Sequence, residues 1–216
     1  MTNIDFINDL LNNIAIQKQK ITRHCHIPLS QTKLETNEWQ QVGNVSCVFV
    51  DLENSTQIAM GNIQQAMQIF STYGDSLVRI FNFYEACYID IQGDGGFALF
   101  DGRNSSVNAY HTAITANSLF NIKLDLSVRI GVDIGTIYVK KVGIRGENKE
   151  IWLGSPVNIA SKLCNLKFQN IKTMRISNAF FKTLPEGDKD FFTQYSLNQN
   201  NMSSFYCGSI NWSGIK

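Results

Sequence analysis

The chain has 216 residues with 19 basic and 18 acidic side chains, a formal net charge of +1. That near balance removes the usual electrostatic reason to expect a nucleic-acid or acidic-membrane partner. With 44% hydrophobic and 17% charged residues it reads as a folded chain, long enough for one domain with a real core and too short for two ordinary ones.

Taken in chain order, residues 1–43 read as a helical arm and connector, and residues 44–216 as one catalytic-sized domain. Ile4, Ile7, Leu10, Leu11, Ile14 and Ile21 recur at helical spacing. MTNIDFINDLLNN has neither a basic n-region nor an apolar h-region, so it does not read as a signal peptide. No apolar run approaches the ~20 residues needed to span a bilayer. Residues 22–43 are polar and irregular. VSCVFVDL (45–52) is an apolar run typical of a buried strand. Ile63, Met67, Phe70, Tyr73, Leu77, Ile80, Phe81 and Tyr84 then form one helical face. ACYIDIQ and GFALF flank Gly93-Asp94-Gly95 as a hairpin. Residues 104–120 read as a helix, and LSVRIGVDI and TIYVKKV as a second hairpin turning at Gly135. SPVNIASKLCNL (155–166) reads as a helix with Ser155 as N-cap and Pro156 at its first position. TMRIS (173–177) is a short strand, NAFFKTL a short helix, and 186–216 carry no clear pattern. Hairpins among helices exclude an all-parallel sheet and indicate an α+β, ferredoxin-like fold with a mostly antiparallel sheet. The five scattered cysteines, with no C-x-x-C pair, indicate reduced thiols and a cytoplasmic protein.

Two aspartates carry the chemistry. Asp51 ends a buried strand and Asp94 lies in a hairpin tip, and the ends of neighbouring strands can bring them together. Paired carboxylates beside an open glycine-rich backbone suit hard divalent cations, and backbone N–H groups after Asp51 can meet phosphate. Either Asp alone is better explained as a turn former or helix cap.

The surrounding stretches resemble a known family. FVDLENST (49–56) is similar to the first metal motif of class III adenylate and guanylate cyclases, F-x-D-I-x-x-F-T. IDIQGDGGFALF (89–100) resembles their second metal motif, and RIGVDIGTIYVKKVGIRGENKEIWLGSPVNIASKL (129–163) their long block ending in V-N-x-A-S. The three lie in family order over roughly residues 45–165. The resemblance implies the ferredoxin-like class III cyclase fold. It also implies attack of the ribose 3′-hydroxyl of a nucleoside triphosphate on the α-phosphorus, with release of pyrophosphate. Two Mg²⁺ or Mn²⁺ ions per site would assist, held by Asp51, Asp94 and the carbonyl of Leu52. Arg145 falls at a terminal-phosphate position, Asn158 at the ribose-orienting position, and Lys162 where the family has a transition-state arginine. Lysine there keeps the charge and loses the fork geometry.

Asp90 and Ile151 fall at the two base-reading positions and match neither purine pattern. An acceptor-only carboxylate suits uracil, cytosine or the guanine edge better than adenine. The chain also resembles the solitary bacterial pyrimidine cyclases of antiphage signalling, which ranks UTP or CTP first, GTP second and ATP third. The family builds its sites from two subunits, which implies a homodimer with shared active sites and neither nucleic acid nor membrane as partner. A guanylate or adenylate cyclase, and a non-catalytic nucleotide-binding cyclase-homology module, stay open as alternatives.

Overall fold

Strand β2 (Glu38–Leu52) organises the protein. Its residues alternate between two buried faces, so it reads as an unbroken apolar run. Val48, Val50 and Leu52 join one core cluster, and Val45 and Cys47 the other. The computed structural model describes residues 4–5, 7–8, 19–28, 38–142, 149–166, 172–199 and 202–213. Among them, β1 (Lys20–His24) and β2 are followed by α1 (Ser55–Met60), α2 (Ile63–Phe83), β3 (Tyr88–Gln92), β4 (Gly95–Phe100) and α3 (Ser105–Asn117). A π-helical segment, Ser118–Lys123, extends α3. Then come β5 (Val128–Val142), β6 (Lys149–Gly154), α4 (Ser155–Cys164), β7 (Met174–Ser177), α5 (Asn178–Phe181), α6 (Glu186–Lys189), β8 (Phe192–Gln199) and β9 (Met202–Gly208).

The strands form one sheet in the order β3-β4-β2-β5-β7-β9-β8, with β1 also on β2 and β6 also on β5. Its pairings are antiparallel except β1–β2 and β5–β7. The segment β2-α2-β3-β4-α3-β5, with spatial order β5-β2-β4-β3, is the split βαβ arrangement of the ferredoxin-like fold. Helices α2 and α3 cover one face through Tyr73, Leu77, Phe81, Ala109 and Ala113. On the other face α4 contributes Ala160 to the second cluster. Each fully buried Val, Leu or Phe contributes roughly 1.5–3 kcal/mol. Among the described residues no helix is long and apolar enough to cross a membrane.

The structure departs from the sequence expectations in four places. First, β2 begins at Glu38, because the strand continues through an irregularity at 43–44, where Asn44 has φ 54. The connector expected over 22–43 therefore contains part of β2 and most of β1; Ile21, expected on the helical arm, lies in β1 as well, and Leu10, Leu11 and Ile14 of that arm fall outside the described residues. Second, Gly135 makes no turn: β5 is continuous, and its hairpin partner is β6. The glycine serves close packing instead, since a Cβ there would lie 2.6 Å from Ser155 Oγ. Third, α4 is capped by Gly154, not Ser155; its φ of 143 lets β6 pass directly into the helix. Fourth, Ile63 and Met67 are exposed, so the buried face of α2 is narrower than its apolar pattern. The stretch 186–216, unread in sequence, supplies α6 and the hairpin β8–β9.

The placement of α4 depends on Gly131, where an added Cβ would meet the Ala160 carbonyl at 2.0 Å and the Cys164 amide at 2.7 Å. We expect Gly131→Ala to cost roughly 1–3 kcal/mol by overpacking and to lower the melting temperature by about 2–12 °C. A calorimetric trace matching wild type would refute this direct helix-on-strand contact.

Candidate active site

Strand parity sets the site. Phe49 and Asp51 share the β2 face that carries Cys47, toward α4, whereas Val50 and Leu52 point toward α2 and α3. Across β4, Asp51 stands opposite Gly95 and Phe49 opposite Phe97; across β5, Asp51 stands opposite Arg129. The turn joining β3 to β4 consists of Gly93 and Asp94 between the paired residues Gln92 and Gly95. Gly93 has φ 62, which a two-residue hairpin turn of the II′ class requires at its first position. The Leu52 amide donates to the Asp94 carbonyl at 2.9 Å, tying the turn to the end of β2. The two expected metal carboxylates, and the expected backbone ligand Leu52, are thus brought together.

The neighbourhood of Asp51 is tight. A Cβ on Gly95 would sit 3.2 Å from its Oδ1, so a side chain there would crowd the carboxylate. Arg129 donates through Nη2 to Asp51 Oδ2, and Arg129 Nε lies 3.8 Å from Glu53 Oε1. Ser55 Oγ donates to Asp94 Oδ2. Burial pushes the Asp51 carboxyl above its ordinary value, the Arg129 hydrogen bond and charge pull it back, and the charges of Asp94 and Glu53 raise it again. Beneath the site, the buried Tyr73 hydroxyl donates to the Val50 carbonyl at 3.2 Å and holds β2 against α2.

Two cavities adjoin the carboxylates. The first, about 360 Å³, is lined by Phe49, Asp51, Asp90, Gln92, Asp94, Gly95, Gly96, Phe97 and Asn165. The second, about 450 Å³, is lined by Leu52, Glu53, Asn54, Ser55, Thr56, Gln57 and Arg129. Phe49 and Phe97 stack with centroids 5.9 Å apart and ring planes 9° apart. Asp90 lines the first cavity and accepts from Gln92 Nε2 at 3.0 Å.

The remaining expected residues lie elsewhere. Asn158 and Lys162 are exposed on α4, and neither lines the carboxylate cavity. Ile151 is exposed on β6, opposite Lys140. Arg145 falls outside the described residues. Arg129, Gln92, Phe97 and Asn165 were not singled out in sequence. The signal for Arg129 is its charge within the apolar run that opens β5, for Gln92 its parity with Asp90, and for Phe97 its pairing with Phe49.

The donor set fits a hard cation. Among the described residues no three His, Cys, Asp or Glu side chains converge as a metal cage. Two carboxylates and a backbone carbonyl suit Mg²⁺ or Mn²⁺, which take oxygen ligands and complete their shells with water and substrate phosphate.

Helix α4 is anchored at its far end. The buried Arg175 of β7 donates through Nη1 to the carbonyl of Leu163, at 3.1 Å, and to that of Cys164. A cation at a helix C-terminus satisfies its last carbonyls and complements the helix dipole.

Comparison with known proteins agrees with this architecture. Residues 37–196 match the model of the adenylate and guanylate cyclase catalytic domain. A uridylate cyclase of Micromonospora echinofusca is 26% identical over 174 residues, covering 73% of this chain and 57% of that relative. A uridylate cyclase of Gulbenkiania mobilis is 26% identical over 200 residues, covering 77% of each. The chain thus spans little more than half the length of some of its curated relatives. Among solved structures, the adenylyl cyclase CyaB from P. aeruginosa superposes with a TM-score of 0.66 at 16% identity, covering 83% of this chain and 100% of that one. The chain belongs to the adenylate and guanylate cyclase catalytic-domain family.

Proposed function

We propose that this protein closes a pyrimidine nucleoside triphosphate, UTP ahead of CTP, into its 3′,5′-cyclic monophosphate with release of pyrophosphate. The observation that carries the reading is the pairing of Asp51 and Asp94 at the end of a cavity of nucleotide-binding size, within a cyclase-family domain. The relatives named uridylate cyclase support uracil as the base.

Each residue then has a task. Asp51, Asp94 and the Leu52 carbonyl would hold Mg²⁺ or Mn²⁺, two ions per site. When bound, such ions acidify a hydroxyl and neutralise charge on phosphate oxygens. Phe49 and Phe97 offer flat apolar walls to a base. Asp90 offers acceptors only, which meets the N3–H of uracil and finds no donor at the bare N1 of adenine. Gln92 holds Asp90 in place through Oδ2.

Asn158 and Lys162, exposed and away from the carboxylate cavity of their own chain, suit a homodimer in which each site is completed by the second copy. Asn158 would orient the ribose, and Lys162 would stabilise charge on the α-phosphate. Arg145 would bind the terminal phosphates, and Ile151 would border the base. The product would act as a cytoplasmic second messenger in antiphage defence, as in the solitary bacterial cyclases that the sequence resembles.

Incubation of the purified protein with ATP, GTP, CTP and UTP in Mn²⁺, with product identification, tests the reading. Cyclic UMP should dominate, and Asp51→Asn and Asp94→Asn should each lower turnover about 100-fold or more. No cyclic product from any of the four would leave a binding module instead. For the metal site, millimolar MnCl₂ should raise the melting temperature of wild type by mass action on the folded state. It should do little for the Asp51→Asn, Asp94→Asn double variant; an equal shift in both would place the ion elsewhere. For the shared site, Asp51→Ala and Asn158→Ala proteins should each be inactive alone and partly active when mixed. Mixtures that stay inactive, together with an active wild-type monomer, would contradict it.

A further inference from the structure

Helix α4 starts without an anion of its own. Its N-cap, Gly154, has no side chain, Pro156 follows within the first turn, and that turn holds no acidic residue. The positive end of the helix dipole is therefore left to neighbouring elements. Strand β5 runs beneath it. An added Cβ at Gly135 would lie 2.6 Å from Ser155 Oγ and 3.4 Å from the Pro156 ring, and Asp133 stands two residues back on the same face of that strand.

Asp133 is only 2% exposed, and among the described residues no other acidic residue is so buried. Its Oδ1 accepts from Ser177 Oγ, which in turn accepts from the Phe180 amide at 3.0 Å as the cap of α5. Its Oδ2 is buried without a hydrogen-bond partner. Burial pushes the carboxyl above its ordinary value, and the Ser177 hydroxyl, the Ile134 backbone and the Ser155 side chain pull it back. A buried carboxylate with an unmatched oxygen is unfavourable to folding on its own, and no role given above uses Asp133. Its place supplies one. A negative group between Ser177 and Ser155 complements the start of α4 and ties that start to the cap of α5.

We propose that Asp133 is a positioning residue that holds the first turn of α4 and, through it, Asn158 in that turn and Lys162 one turn further on. This rests on the cyclase reading above, in which α4 of one copy completes the site of the other. Asp133 lines neither cavity beside Asp51, so its effect reaches the reaction only through the helix.

The test uses full chains and puts Asp133→Asn, which keeps the side-chain shape and removes the charge, into one chain at a time. The parent mixture is Asp51→Ala with Asn158→Ala. Its complete site joins the carboxylates of the Asn158→Ala chain to α4 of the Asp51→Ala chain. Asp133→Asn added to the Asp51→Ala chain, which supplies α4, should lower the recovered activity about tenfold or more, because a displaced group costs turnover steeply. Added to the Asn158→Ala chain, which supplies the carboxylates, it should leave most of that activity. The Asp133→Asn single variant should also keep the rise in melting temperature that MnCl₂ gives wild type without nucleotide. Equal losses in the two arrangements, as a misfolded variant would give, would overturn the proposal. So would no loss in either, a loss confined to the carboxylate-supplying chain, or a lost Mn²⁺ shift. A parent mixture with no recovered activity would instead sink the shared-site reading, and this inference with it.

Discussion

The structure depends on one register. Asp51 of β2 lies opposite Gly95 of β4, and the two-residue turn before Gly95 places Asp94 at the same end of the sheet. A one-residue slip of β2 would turn Asp51 toward α2 and α3 and bring Val50 to the carboxylate cavity. The register is held by the full burial of Val48, Val50 and Leu52, by the Tyr73 hydroxyl on the Val50 carbonyl, and by the Leu52 amide on the Asp94 carbonyl. Bringing two carboxylates together in a half-buried place is unfavourable on its own. The protein meets that cost with Arg129 on one and Ser55 on the other.

That arrangement also bears on where the expected site residues lie. The carboxylates sit on the sheet face toward α4, yet Asn158 and Lys162 point to solvent from that helix. Gly131 brings the α4 backbone against β5, and Arg175 holds its C-terminal carbonyls, so the helix has little freedom to swing inward. Under the proposed function those groups would come from a second copy. Asp90, by contrast, shares a cavity with the carboxylates of its own chain, so of the two positions expected to read the base one lies in the cavity and the other, Ile151, on the surface.

Much of this was legible in sequence where the signal was local. The Gly93-Asp94 turn, the apolar run of β2 and the helical face around Tyr73 and Phe81 announce themselves through turn chemistry and periodicity. What was hidden depends on packing between distant segments. Gly135 reads as a turn until the helix end that presses on it is known, and Gly154 replaces Ser155 as cap only because β6 enters α4 directly. Arg129 belongs to a quoted motif, but its partner lies 78 residues away, and only strand pairing identifies it. In the late hairpin β8 is the edge strand and is largely exposed, which weakens the alternation that would reveal it.

The account is tested most directly by a crystal structure with Mn²⁺ and a non-cyclisable UTP analogue, using anomalous scattering to locate the ion. It predicts manganese about 2 Å from carboxylate oxygens of both Asp51 and Asp94. A bound nucleotide with no manganese on these carboxylates would contradict it.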